Sequence, residues 1–167
     1  EAFLDLHDGR VVHKVRTGMW FLFGTDHHLA IGPCTDNPNQ VVNFVNNRMI
    51  QWSLHRGALL GHASAVAHRP GRDPAQPAKT LAIAGFSGMG KSTLALNMLN
   101  DRRLDFLSND RVMIQPRRDG RQTIEGVPKH PRINPGTILN NAALGPVLTA
   151  AERREFLALP TDALWQL

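Results

Sequence analysis

The stretch Gly85-Phe86-Ser87-Gly88-Met89-Gly90-Lys91-Ser92 constrains this chain more than any other. It fits the pattern of Gly, four residues, then Gly-Lys-Ser at every fixed position, a pattern that belongs between a strand and a helix. The glycines let the backbone curl so that successive N–H groups face phosphate oxygens, and a helix starting at Lys91 adds the positive end of its dipole. In that arrangement Lys91 reaches the β- and γ-phosphates and the Ser92 hydroxyl ligates Mg²⁺. The flanks agree, with an apolar strand at 80–84 and a helix-forming stretch from Thr93 to Leu99. A match at every fixed position arises by chance in fewer than about one in a hundred chains of this length. The reading is a nucleoside triphosphate P-loop rather than a plain glycine-rich turn, with residues 85–93 as the binding segment.

The surrounding order sets the fold class. Short apolar runs separated by turn residues fill the first 33 residues, with Asp8-Gly9 and Gly24-Thr25-Asp26 as hairpin turns. The spacing predicts a helix over 38–55, capped by Asn37, with Pro38 in its first turn, an apolar core face of Val41, Phe44, Val45, Met49 and Trp52, and Gly57 as its stop. Residues 58–67 read as one buried strand containing His62, and 68–79, with three prolines, as a surface loop. A strand at 104–107 ends near Asn109-Asp110, and Asp119-Gly120 marks another hairpin. Antiparallel hairpins on both sides of a P-loop unit predict an α/β domain with a mixed, largely antiparallel sheet and flanking helices, unlike the parallel sheet of ordinary P-loop proteins.

Length and composition set outer limits. At 167 residues and 42% apolar content the chain is one domain's worth of sequence, expected to be a single unit cut from a longer polypeptide because both ends fall in mid-pattern. Nineteen Lys and Arg against fourteen Asp and Glu give +5, spread along the chain without the aromatic and basic interleaving of a nucleic-acid module. No apolar run reaches the roughly 20 residues of a membrane span, and one cysteine, Cys34, permits no internal disulfide. With no signal-like segment, a reducing cytoplasmic setting is expected.

Asp110, at the C-terminal end of the 104–107 strand, stands where P-loop proteins place groups near Mg²⁺ and the γ-phosphate. It has two available roles, holding the metal through water or accepting a hydroxyl proton, against a plain turn aspartate. No Asn-Lys-x-Asp guanine reader occurs, which points to ATP.

Leu60-Gly-His62, Ser87-Gly-Met-Gly-Lys-Ser92, Leu107-Ser-Asn-Asp110 and the run from Gly126 to Asn140 together resemble the HPr kinase/phosphorylase family, most closely its HprK-related kinase B subgroup. The resemblance covers residues 59–141 and implies a PEP carboxykinase-like P-loop fold. It implies His62, Lys91 and Asp110 as catalytic residues, Ser92 as the metal ligand, and ATP and Mg²⁺ as cofactors. Asp110 becomes the proton acceptor for a protein serine, and self-association is implied because family members form hexamers. The chain departs from the family at Thr93 and Asn109, where the family carries Glu and Asp. Glu125-Gly126 stands in place of a Glu-x-Arg-Gly signature, with Lys129 and Arg132 as substitute cations.

Two classes follow: a kinase moving the γ-phosphoryl of ATP to a hydroxyl, or a module that binds ATP without turnover because those two acidic groups are missing. Asp26-His27-His28 has no third ligand at a fixed spacing and reads as an exposed turn. The Arg102-Arg103 and Arg117-Arg118 pairs read as surface charge.

Overall fold

The structure is a computed structural model that describes residues 2–70, 78–131 and 133–165; Arg132, the centre of the proline-rich loop and the last two residues lie outside the described set. It is a mixed α/β fold, and it divides into two compact units, Glu1–Arg56 and Gly57–Leu167.

In the first unit β1 (Ala2–Leu6), β2 (Gly9–Lys14), β3 (Met19–Gly24) and β4 (His28–Ile31) form an antiparallel meander in sequence order. Both expected hairpins form, with one change of detail. The first turn is His7-Asp8, and Gly9 opens β2 opposite Leu6 and Gly24. A Cβ on Gly9 would lie 2.5 Å from the Phe23 carbonyl oxygen, so close strand approach rather than turn conformation demands this glycine.

Helix α1 spans Pro38–His55, the predicted bounds, and stops where Gly57 takes φ +85°. Phe44 on α1 joins Met19 and Phe21 of the sheet in a buried cluster. Two expectations for α1 are corrected. Asn37 makes no side-chain cap; its amide instead donates to the Pro33 carbonyl at 3.0 Å. The buried stripe is Phe44, Asn46, Ile50 and Ser53, whereas Val45 and Trp52 are each 57% exposed. Apolar spacing alone misplaced the stripe by a fraction of a turn; the exposed Trp52 ring is covered instead by the Arg56 guanidinium at 4.5 Å.

The second unit holds two three-stranded antiparallel sheets. β5 (Leu59–Gly61) pairs with β9 (Val112–Pro116), which pairs with β10 (Gln122–Gly126). β6 (Ala63–His68) lies between β7 (Lys79–Ala84) and β8 (Leu104–Ser108). The single strand expected over 58–67 is therefore two, broken at His62, so that one continuous segment serves both sheets. Ala63, Ala65 and Val112 form the buried core under that break, with Leu107, Ile114 and Ile124 around it.

The sheet is largely antiparallel as expected, but it is three sheets rather than one, and every pairing among the described residues is antiparallel. The expected parallel contribution is absent there because β6 intervenes between β7 and β8. The hairpin at Asp119-Gly120 forms, with Gly120 at φ +80°. Helices α2 (Lys91–Met98), α3 (Pro135–Leu139) and α4 (Ala150–Leu157) complete the unit, the last opened by a capping box between Thr149 and Glu152.

Candidate functional site

The site is built by the β7-β6-β8 sheet. β7 and β8 are both antiparallel to β6, so they run in the same direction, and their C-terminal ends emerge at the edge where β6 begins. Ala63 pairs with Ala84, the last residue of β7, and Ala65 pairs with Ser108, the last of β8. His62, the loop 85–90 and Asn109-Asp110 therefore share one edge, although the chain separates the outer two by 47 positions. Three short extensions of paired strands meet there.

Hydrogen bonds fix that edge. Ser64, fully buried in β6, donates to the Asn109 carbonyl at 2.7 Å, and the Ala63 N–H donates to the Asp110 carbonyl at 3.2 Å. Ser108 donates to the Arg111 carbonyl at 2.6 Å. The turn is thus held from both sides, and the Asp110 carboxylate projects with one oxygen 3.4 Å from His62 Nε2 and the other 3.6 Å from Arg111 Nε. His62 and Asp110 side chains are 60% and 41% exposed, so the pair contributes under about 1 kcal/mol to stability. A carboxylate oriented between an imidazole and a guanidinium, with solvent access, is equipped to take a proton from a hydroxyl. The expected buried position of His62 within a strand is corrected: the strand break puts its ring in solvent beside Asp110.

Of the loop residues, Gly88 and Gly90 both take φ +80° with open space where a Cβ would stand, so backbone conformation is what requires glycine. A Cβ on Gly85 would make only ordinary contacts, with the Met89 and Lys91 side chains. Phe86 and Met89 are 84% and 68% exposed, while Lys91 is 8% exposed. The Lys91 ammonium donates to the Phe86 carbonyl at 2.9 Å, the same oxygen that accepts from the Met89 N–H at 3.3 Å, so a buried cation is satisfied by the loop it follows. Ser87 lies in the exposed part of the loop and Ser92 is half-buried in the first turn of α2.

Thr93 meets a partner the sequence did not reveal. Its hydroxyl lies 2.9 Å from that of Thr137 on α3, and Asn141 donates to the Leu96 carbonyl, so the segment after β10 docks on α2. At its other end Val127 donates to the Arg111 carbonyl at 3.3 Å. Lys129 is exposed on the stretch strung between those anchors; Arg132 lies outside the described residues. Sequence reasoning also passed over Ser64 and Arg111. A serine in the apolar run 63–67 was a signal for a buried bond, but Arg111 carried none.

Among the described residues no group of three or more His, Cys, Asp or Glu gathers. A divalent ion at this edge would draw most of its ligands from phosphate oxygens and water, the usual habit of Mg²⁺. Asn109 adds a buried side-chain oxygen with no hydrogen-bond partner among the described residues, an unused acceptor beside Asp110. Asp26, His27 and His28 are exposed at the β3–β4 turn, as expected, and Arg102, Arg103, Arg117 and Arg118 are exposed too. No described helix is long and apolar enough to cross a membrane. Comparison with family models, with curated proteins and with solved structures gives no match.

Proposed function

We propose that the Gly57–Leu167 unit is an ATP- and Mg²⁺-dependent phosphotransferase of the HPr kinase-like type, on a PEP carboxykinase-like P-loop fold, moving the γ-phosphoryl group to a hydroxyl, a protein serine by resemblance. The observation that carries the reading is the shared edge: the Gly-Lys-Ser loop and a His62–Asp110 pair at 3.4 Å, brought together from distant parts of the sequence. Mg²⁺, when bound, supplies charge neutralisation between the phosphates. The Ser92 hydroxyl would hold it, with water completing its shell.

The chain's own residues then divide the work. Backbone N–H groups of 85–90 and the start of α2 hold phosphate oxygens, and Lys91 exchanges its bond to the Phe86 carbonyl for one to the transferring group. Asp110 takes the proton of the attacking hydroxyl, with His62 and Arg111 fixing the orientation of its carboxylate. A protein acceptor and self-association follow from the resemblance and belong to the same proposal.

A second reading has its own observation. Thr93 is engaged with Thr137, and neither Thr93 nor Asn109 offers negative charge where the resembled family has carboxylates, which suits a module that binds ATP without turnover. One experiment separates the two. ATP and GTP with Mg²⁺ are titrated into wild type, Lys91→Ala and Asp110→Asn, followed by incubation with labelled ATP and cell lysate. The kinase reading expects binding lost in Lys91→Ala, and in Asp110→Asn binding retained with transfer reduced by about a hundredfold or more. Binding without any labelled product selects the sensor, and no binding to wild type sinks both.

A further inference from the structure

We propose that Met89 is a modification site, where oxidation of the thioether to the sulfoxide by a hydroperoxide closes the 85–90 loop to phosphate. The inference rests on the nucleotide reading of that loop. Three donors that a phosphate needs are engaged within the loop and the residue that follows it. The Phe86 N–H donates to the Met89 Sδ at 3.3 Å, and the Phe86 carbonyl accepts both the Met89 N–H, at 3.3 Å, and the Lys91 ammonium, at 2.9 Å. Phe86 and Met89 thus hold each other twice, backbone to side chain and backbone to backbone. A Cβ on Gly85 would stand 3.5 Å from the same sulfur, so the thioether lies across the point where β7 becomes the loop.

The sulfur is a weak place-holder. A thioether is a poor acceptor, so a charged phosphate oxygen displaces it from the Phe86 N–H. A sulfoxide reverses that order. Its oxygen carries partial negative charge and accepts an N–H much as a carbonyl does, so it both retains the Phe86 amide and repels the incoming phosphate oxygens.

Exposure selects this residue. The chain has five methionines; Met19 and Met113 are fully buried, Met49 and Met98 are half-buried, and Met89 alone is exposed. A sulfur lone pair attacks the hydroxyl oxygen of the hydroperoxide, the S–O bond forms as the O–O bond breaks, and the proton passes to the departing oxygen, which leaves as an alcohol or water. The sulfur is oxidised by the electron pair that the peroxide gains. Methionine sulfoxide reductases reverse the step, one for each sulfoxide epimer.

The test treats the whole chain with hydrogen peroxide, locates the added oxygen by peptide mass spectrometry, and measures tripolyphosphate and Mg²⁺–ATP binding by calorimetry before and after. Wild type and Met89→Leu are each compared with their own untreated state, so a change in the variant's starting affinity does not enter. The first oxygen is expected on Met89, with wild-type affinity falling about fivefold or more and returning after treatment with both reductases. Phe86 amide exchange should slow in the oxidised wild type, and Met89→Leu should hold its affinity through the same treatment. Unchanged wild-type affinity, oxygen gained first at Met49 or Met98, or an equal fall in Met89→Leu would overturn the proposal. Untreated wild type that binds neither polyphosphate nor ATP fails one step earlier, at the nucleotide reading, and this inference falls with it.

Discussion

Both units are antiparallel, but they are wired differently. In Glu1–Arg56 every paired strand follows its partner directly, whereas in Gly57–Leu167 Leu59 pairs with Ile114 and Ala65 with Ser108. The first sheet gathers residues that are already neighbours; the second gathers residues whose closeness exists only once the long-range pairs form. The candidate active site belongs to the second kind. Its geometry is a property of register, and small errors there separate His62 from Asp110.

The largest test of this contrast is Phe44→Ala. Phe44 is buried against Phe21 and Phe23, and its removal is expected to cost about 3–5 kcal/mol in urea unfolding. Amide hydrogen exchange should quicken across β1–β4 and α1 while β6–β8 stay protected. Equal acceleration in β6–β8 would show the two units unfolding as one and end the comparison.

Gly126→Ala probes the other unit. A Cβ there would lie 2.1 Å from the Leu107 carbonyl oxygen, a backbone atom that moves only with β8. The expected loss is about 3 kcal/mol, with faster exchange in β8 to β10. If the unit is the phosphotransferase proposed above, labelled-phosphate transfer should fall as well, because displacing β8 displaces Asp110 from His62.

The wiring also explains what the sequence disclosed. The hairpins, the bounds of α1 and the strand–loop–helix around Gly85–Ser92 depend on local turn chemistry and periodicity, and these were legible. The break at His62 was not, because Leu60, Gly61 and Ala63 carry the same apolar signal whether one sheet receives them or two. Its cause is the register of β5 on β9, more than 50 positions away. The roles proposed for His62, Lys91, Ser92 and Asp110 came from motif spacing and resemblance, but the Ser64, Arg111 and Thr137 contacts are tertiary and leave no periodic trace. For α1, apolar spacing marked Val45 and Trp52 as core, whereas both are exposed and the Trp52 ring is covered by the Arg56 guanidinium.

A smaller effect isolates burial from hydrogen-bond chemistry. Ser64 and Thr25 each donate a hydroxyl to a distant backbone carbonyl, at 2.7 Å and 3.2 Å, one in the core of the second unit and one on the surface of the first. Ser64→Ala is expected to cost about 1–2 kcal/mol, since the Asn109 carbonyl loses its donor in a dry setting, and Thr25→Val less than about 0.5 kcal/mol. If the two cost the same by denaturant midpoint, burial is not what makes the site edge rigid.

The smallest effect is electrostatic. Each unit has an exposed Asp–Arg pair, Asp5 with Arg10 across a hairpin and Asp101 with Arg103 in the turn before β8. Side-chain and then backbone hydrogen bonds from Arg103 hold the Asp101 carboxyl down to about 2, and the Arg10 side chain holds that of Asp5 below its ordinary range. A depressed folded value means the unfolded chain binds the proton more readily, so the stabilisation is present above the ordinary 3.8 and disappears as pH falls through about 2. Carboxyl NMR titration should give an Asp101 midpoint near 2 that returns toward 3.8 in Arg103→Ala. The Asp5 midpoint should be unmoved by that change. An Asp101 midpoint already near 3.8 in the wild type would mean the turn pair does not persist in solution, leaving the start of β8 held by its strand register and by the Leu104 N–H bond to the Asp101 carbonyl.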